Sequence, residues 1–219
     1  MDASILISKI AIYAIPTIFA ITAHEAAHGY VANLLGDNTA SRLGRVTLNP
    51  VPHIDPVGTV LVPLLALALG GLLFGWAKPV PVDVSRLRYP SKSFVWVALA
   101  GPVSNMLMGI FWALVALAGN HGLGGEVFSE GFRAMGMAGI SVNMMLMIFN
   151  LLPIPPLDGS RVVGRFLKGN ARSTWENFDR YGIFVLFGLM ILVPQLLGLW
   201  FAPWQSFFSW IPAIAALGL

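Results

Sequence analysis

Near the end of its first long apolar run the chain reads Ile21-Thr22-Ala23-His24-Glu25-Ala26-Ala27-His28-Gly29-Tyr30-Val31. Three ionisable side chains stand among residues that otherwise read as the inside of a bilayer. The run extends from about Ile5 to Leu35, carries Lys9 near its start, and stops at Gly36-Asp37-Asn38. A spanning helix needs about 20 apolar residues, so one crossing is covered. Ionisable groups in a membrane helix are costly and by default functional. With about 3.6 residues per turn, positions i and i+4 share a helix face. His24 and His28 can therefore occupy two neighbouring corners of a tetrahedral Zn²⁺ site. Glu25 lies about 100° round the helix, close enough to reach a water at the metal without being a ligand. That division of labour is metal-assisted hydrolysis with a Glu general base. The bland reading is structural packing of the three residues without metal. A solvated surface turn is disfavoured by the flanks Ile21, Thr22, Ala23 and Tyr30, Val31.

Working outward, the 219 residues are 57% hydrophobic and only 11% charged, and mean hydropathy is +0.76. Soluble domains carry about 25% charged residues, so a water-facing coat is excluded, as are disorder and coiled coil. With no cysteine there is no disulfide frame, thiol nucleophile or Cys-ligated metal. The net charge of +3 does not point to nucleic acid, because the basic residues cluster in short loops between apolar runs. The N-terminus lacks a basic n-region and a cleavage site, so the first run is expected to stay as a membrane helix.

Further apolar runs cover Val57–Trp76, Ser93–Ala118, about Arg133–Leu152 and Phe178–Trp200, followed by an interfacial segment with Trp204 and Trp210. The expectation is an all-α polytopic membrane protein with four to six membrane segments. Lys78, Arg86, Arg88 and Lys92 mark one basic loop, and Arg161, Arg165, Lys168, Arg172 and Arg180 a second. The loop at 119–132 holds Glu126 and Glu130 and no Lys or Arg. The basic loops are expected inside, and Arg42 and Arg45 suggest the same for 36–55. With both flanks inside, 57–76 cannot cross once. Pro63 and Gly70-Gly71 fit a re-entrant hairpin, the other reading being a plain transmembrane helix.

A catalytic zinc site usually has three protein ligands and an open position. The candidate third donors are His53, Asp55, His121 and Asp158. Asp158 ends Asn150-Leu151-Leu152-Pro153-Ile154-Pro155-Pro156-Leu157-Asp158-Gly159, where three prolines break the helix and irregular backbone implies burial against a cavity. Its bland reading is a turn or capping Asp. On the loop charges, His24, His28 and Asp158 all lie a short way below the cytoplasmic surface.

The chain resembles the site-2 protease family of intramembrane zinc metalloproteases. The matching stretches are His-Glu-Ala-Ala-His at 24–28, Asn-Pro-Val-Pro-His-Ile-Asp-Pro-Val-Gly at 49–58, Phe-Gly-Trp-Ala-Lys-Pro-Val-Pro-Val at 74–82, Ala-Gly-Pro-Val-Ser-Asn at 100–105, and the Asn150–Gly159 stretch. The resemblance implies one Zn²⁺ per chain held by His24, His28 and Asp158, with Glu25 as base and Asn150 holding the substrate carbonyl or oxyanion. It implies one integral membrane protease domain over 1–219, of a minimal form without PDZ or CBS domain. The implied setting is the cell membrane, with the active site near the cytoplasmic side and a transmembrane protein as substrate.

His53 has two readings, a second oxyanion donor or a loop-organising residue. Asp55 reads as a turn residue before Pro56. Pro79 and Pro81 restrict Trp76–Val84 to a short edge strand or an irregular strand. An extended substrate would pair there by strand addition; the bland alternative is a proline-rich loop. Asn105 reads as an interhelical hydrogen-bond or close-packing site, and Asn143 as packing. The rival function is a metal transporter or ion-coupled carrier, and a third is an inactive zinc scaffold. Glu25→Gln separates them.

Overall fold

Where apolar sequence is long enough to cross a bilayer, the chain is helical. The computed structural model describes residues 3–61, 77–122 and 125–217. In chain order its helices are α1 (Ala3–Leu34), α2 (Thr39–Arg42), α3 (Pro90–Asn120), α4 (Glu126–Asn150), α5 (Asp158–Gly164), α6 (Gly169–Leu192), α7 (Pro194–Phe207) and α8 (Trp210–Ala215). No strand forms among the described residues. Three helical stretches, Ile10–Leu34, Pro90–Asn120 and Phe128–Asn150, are long and apolar enough to span a membrane.

These three pack on one another, α3 lying against both α1 and α4. Trp112, Ala113 and Ala116 of α3 meet Ile140 of α4 and Ile211 and Ala215 of α8 in the main apolar cluster. The small residues let the backbones approach, as in membrane helix pairs generally. Large apolar side chains face outward instead: Ile10, Phe111, Leu114, Phe184 and Ile191 are exposed, whereas Asn105 and Asn143 are fully buried. In water such exposure would be a liability; in lipid it is the solvent match. This is a multi-pass membrane protein.

Two boundaries differ from the sequence reading. The run Phe178–Trp200 is not one straight span: Arg180–Leu192 and Pro194–Phe207 meet at an angle of 94°. Pro194 lacks an N–H and clashes with the preceding turn, so the helix ends before it. The fourth helix starts at Glu126 rather than near Arg133, so most of the expected acidic loop is helix. Of the expected hairpin at 57–76, residues 62–76 lie outside the described residues; Pro56–Leu61 forms a turn of π-helix.

Segment 77–83 is irregular rather than a strand. Its two prolines cannot donate, and its remaining groups are pinned from the α1 side of the molecule. Lys78 N–H donates to His53 O (2.9 Å), Arg45 Nη2 donates to Lys78 O (2.7 Å), and Asp83 N–H donates to Asp37 Oδ2 (2.7 Å). Asp37 is fully buried. Its other oxygen accepts from Thr39 N–H (3.0 Å). The residue that reads in sequence as a stop signal is thus a clip between the end of α1 and this segment.

Candidate active site

The helical register of α1 turns His24 and His28 to the same side, and α3 receives them. His28 Nδ1 lies 2.7 Å from Val97 O. A carbonyl only accepts, so Nδ1 carries the proton and Nε2 is left as a lone pair. His24 Nδ1 lies 2.6 Å from Asn105 Oδ1. The orientation of that amide follows from its other contacts: Asn105 Nδ2 donates to Ala20 O (3.2 Å) and Asn143 Oδ1 (3.0 Å). Asn143 is oriented in turn by donating Nδ2 to Gly139 O (2.9 Å). Backbone carbonyls therefore fix the tautomer of both imidazoles, each presenting Nε2 inward.

Asp158 meets them from the other side. Pro153, Pro155 and Pro156 end α4 and return the chain, and Asp158 opens α5. Gly159 allows this return, because a Cβ there would run into the carbonyls of Leu151 and Leu152. Asp158 Oδ2 lies 3.1 Å from His24 Nε2 and 3.3 Å from His28 Nε2. It is buried without a hydrogen-bond partner. With neutral imidazoles two lone pairs and a carboxylate oxygen converge, and such a set is held together by a shared proton or by a metal cation. The donor atoms all lie within 4.8 Å of one another. Ligands on a tetrahedron with bonds of about 2.0–2.1 Å stand about 3.3 Å apart, so the residues fit zinc.

Gly101 sets the closeness of α3. A Cβ at that position would lie 2.5 Å from His24 Nε2 and 2.6 Å from His28 Nε2. No other residue leaves room for the two rings.

A cleft of about 130 Å³ opens at this cluster, lined among others by Glu25, Val80, Asn150 and Arg161. Liquid water occupies about 30 Å³ per molecule, so the cleft has room for water and a small part of a substrate. Glu25 Oε2 accepts from Val80 N–H (2.8 Å), which fixes the carboxylate beside the imidazoles. Asn150 Nδ2 donates to Leu146 O (3.0 Å); an amide has a second N–H for another acceptor.

Of the other sequence candidates, His53 is buried but is not among the residues lining the cleft. Its Nε2 lies 3.1 Å from Thr47 O and its carbonyl holds Lys78. Asp55 caps a turn, accepting from Val57 N–H (3.0 Å) and Gly58 N–H (2.7 Å). His121 follows α3, 20 residues beyond Gly101, or about 30 Å at 1.5 Å rise per residue. Sequence reasoning missed Gly101 as a spacer, Asn105 as a partner of His24 and Arg45 as an anchor. For Asn105 the signal was an amide inside an apolar helix; nothing local to Gly101 sets it apart from the other glycines.

Residues 120–193 match the profile of Peptidase family M50. The chain is 40% identical over 185 residues to YwhC of Bacillus subtilis strain 168, which bears a zinc-metalloprotease designation; the match covers 82% of this chain and 80% of that protein. Rip2 of Mycolicibacterium smegmatis, similarly designated, is 27% identical over 182 residues, 81% of this chain and 65% of that protein. MJ0611 of Methanocaldococcus jannaschii, with the same designation, is 33% identical over 69 residues. No solved structure matches at a significant level.

Proposed function

The chain belongs to the site-2 protease family of zinc metalloproteases, peptidase family M50, and from that premise we propose that it hydrolyses peptide bonds within or near transmembrane segments of other membrane proteins. The observation that carries this reading is the convergence of His24, His28 and Asp158 on one cleft beside Glu25. In this reading the three residues hold one Zn²⁺ per chain. When bound, zinc polarises a carbonyl and lets water ionise near neutral pH.

The protein's own groups do the rest. Glu25, held by Val80 N–H, removes a proton from the attacking water and returns it to the leaving amine. Asn150 turns its second amide N–H to the oxyanion as negative charge develops there. The Nδ1 bonds to Asn105 and Val97 hold both imidazoles in place. His53 serves as an organiser of the loop that carries Lys78, the second of its two sequence readings.

A transmembrane helix hides its carbonyls in its own hydrogen bonds and must be unwound before attack. Trp76–Val84 receives the extended chain by strand addition; Pro79, Val80 and Val82 of this segment border the cleft. The basic loops favour a cytoplasmic-side active site in the cell membrane, within a single membrane domain over 1–219. The partners are the bilayer and a membrane-protein substrate, with no nucleic acid.

The test is metal analysis and cleavage of a single-span peptide by wild type and Glu25→Gln. Retained zinc with cleavage lowered about 10²–10⁴-fold is expected for loss of a general base. Unchanged cleavage overturns the role of Glu25. Zinc uptake into vesicles without any cleavage supports the carrier instead.

A further inference from the structure

Beside the cleft lies a larger cavity of about 290 Å³. Arg161 of α5 and Arg165, the residue that caps its end, line it with Arg172 and Trp175 of α6 and Ser91 and Phe94 of α3. Phe94 and Arg161 line the cleft as well, so the two spaces adjoin. The Arg161 guanidinium lies 5.4 Å from the centre of the Phe94 ring, a cation–π contact that places it at the junction. Segment 77–83 leads the same way, Val80 and Val82 bordering the cleft and Val84 the cavity.

Topology accounts for arginines on one side of a membrane; it does not account for three of them on one cavity. The spacing links them to the chemistry. Asp158, Arg161 and Arg165 stand at i, i+3 and i+7, one face of α5 carried on to its helical C-cap residue Arg165. At about 1.5 Å rise per residue, Arg161 is about 5 Å and Arg165 about 10 Å along the helix from Asp158. An extended peptide advances about 3.3 Å per residue. A side chain roughly two to four residues from the scissile bond therefore comes level with these arginines. Guanidinium groups bind carboxylates in paired, charge-assisted hydrogen bonds.

We propose that this cavity is a specificity subsite for an Asp or Glu side chain of the substrate, two to four residues from the scissile bond. The inference rests on the protease reading above. It supplies discrimination by repulsion as well as attraction. Cytoplasmic flanks of membrane helices are commonly rich in Lys and Arg, and such flanks meet like charge in the cavity.

The experiment uses the full chain reconstituted in phosphatidylcholine bilayers and a set of single-span peptides. Each peptide carries Glu, Gln or Lys at one position, from four residues before the cut to four after it. The expected result is at least a tenfold higher kcat/KM for Glu than for Lys at one or two of those positions. Arg165→Lys keeps the Glu preference, whereas Arg165→Glu reverses the Glu-to-Lys ratio, each compared at equal bound zinc. Equal cleavage of the three peptides by wild type overturns the subsite, as does an unaltered ratio in Arg165→Glu. A rate that follows added phosphatidylglycerol and ignores peptide charge also overturns it, in favour of a lipid headgroup site. Zinc-loaded protein that cuts none of the peptides overturns the protease reading and the subsite together.

Discussion

His24 and His28 are oriented from outside the cleft. Val97 O and Asn105 Oδ1 take the Nδ1 protons, and Gly101 leaves the space into which the rings fit. Such outer partners commonly account for about 10–100-fold in metal affinity. Gly101→Ala would add a methyl 2.5 Å from His24 Nε2, forcing the rings or α3 to move. The expected result is zinc affinity at least about tenfold weaker by competitive chelation, together with a stability loss of about 1–3 kcal/mol from overpacking. Wild-type affinity in that variant would show that the rings tolerate the shift. At this scale much was legible in sequence: the four-residue spacing of His24 and His28 is a helical fact, and the prolines around Asp158 announce a break. Gly101 was not, because the demand for glycine comes from side chains 73 and 77 positions earlier in the chain. An interhelical hydrogen bond at Asn105 is legible in sequence; its partner His24 Nδ1 is not, because the two face each other only once α1 and α3 are assembled.

Segment 77–83 is the element that connects the loop architecture to Glu25, the proposed base. Val80 N–H holds Glu25, and the segment is itself held by Arg45 at Lys78 O (2.7 Å). Arg45 is buried, and hydrogen bonds from charged groups contribute about 1.5–3 kcal/mol. Arg45→Gln should loosen the segment while leaving the three donor atoms alone. The expectation is a fall in kcat/KM of about tenfold or more on a single-span peptide, with zinc content unchanged. Equal kcat/KM in the two proteins would detach the segment from catalysis. Sequence pattern exposed the long apolar elements well, since a spanning helix is set by its own composition. It was poorer at joints. A whole helix was expected through Pro194, because apolar character is continuous across it, yet the missing N–H bends the chain there. The irregular course of 77–83 depends on Asp37 and Arg45, distant groups that no local pattern reveals.

Across the whole molecule the proposed ligands come from α1 and from the start of α5, 134 residues apart in the chain. They are joined through α3, which touches both. A cation held by all three ties the first span to the end of the third. A ligand that binds only the folded state stabilises it by about 4 kcal/mol when free ligand is about 1,000-fold above Kd. For a chain of this size each kcal/mol moves Tm by about 2–4 °C. Chelation of the zinc-loaded protein in bilayers should therefore lower Tm by roughly 10 °C. Glu25→Gln should show the wild-type shift, since in the proposed mechanism its side chain takes the proton and does not hold the metal. His28→Ala should show little or none, because two remaining donors bind zinc weakly. This pattern separates holding the metal from moving the proton, which a cleavage assay alone cannot do. A Tm unmoved by chelation in wild type, or moved equally in His28→Ala, would remove the metal from its place as the tie between α1 and α5.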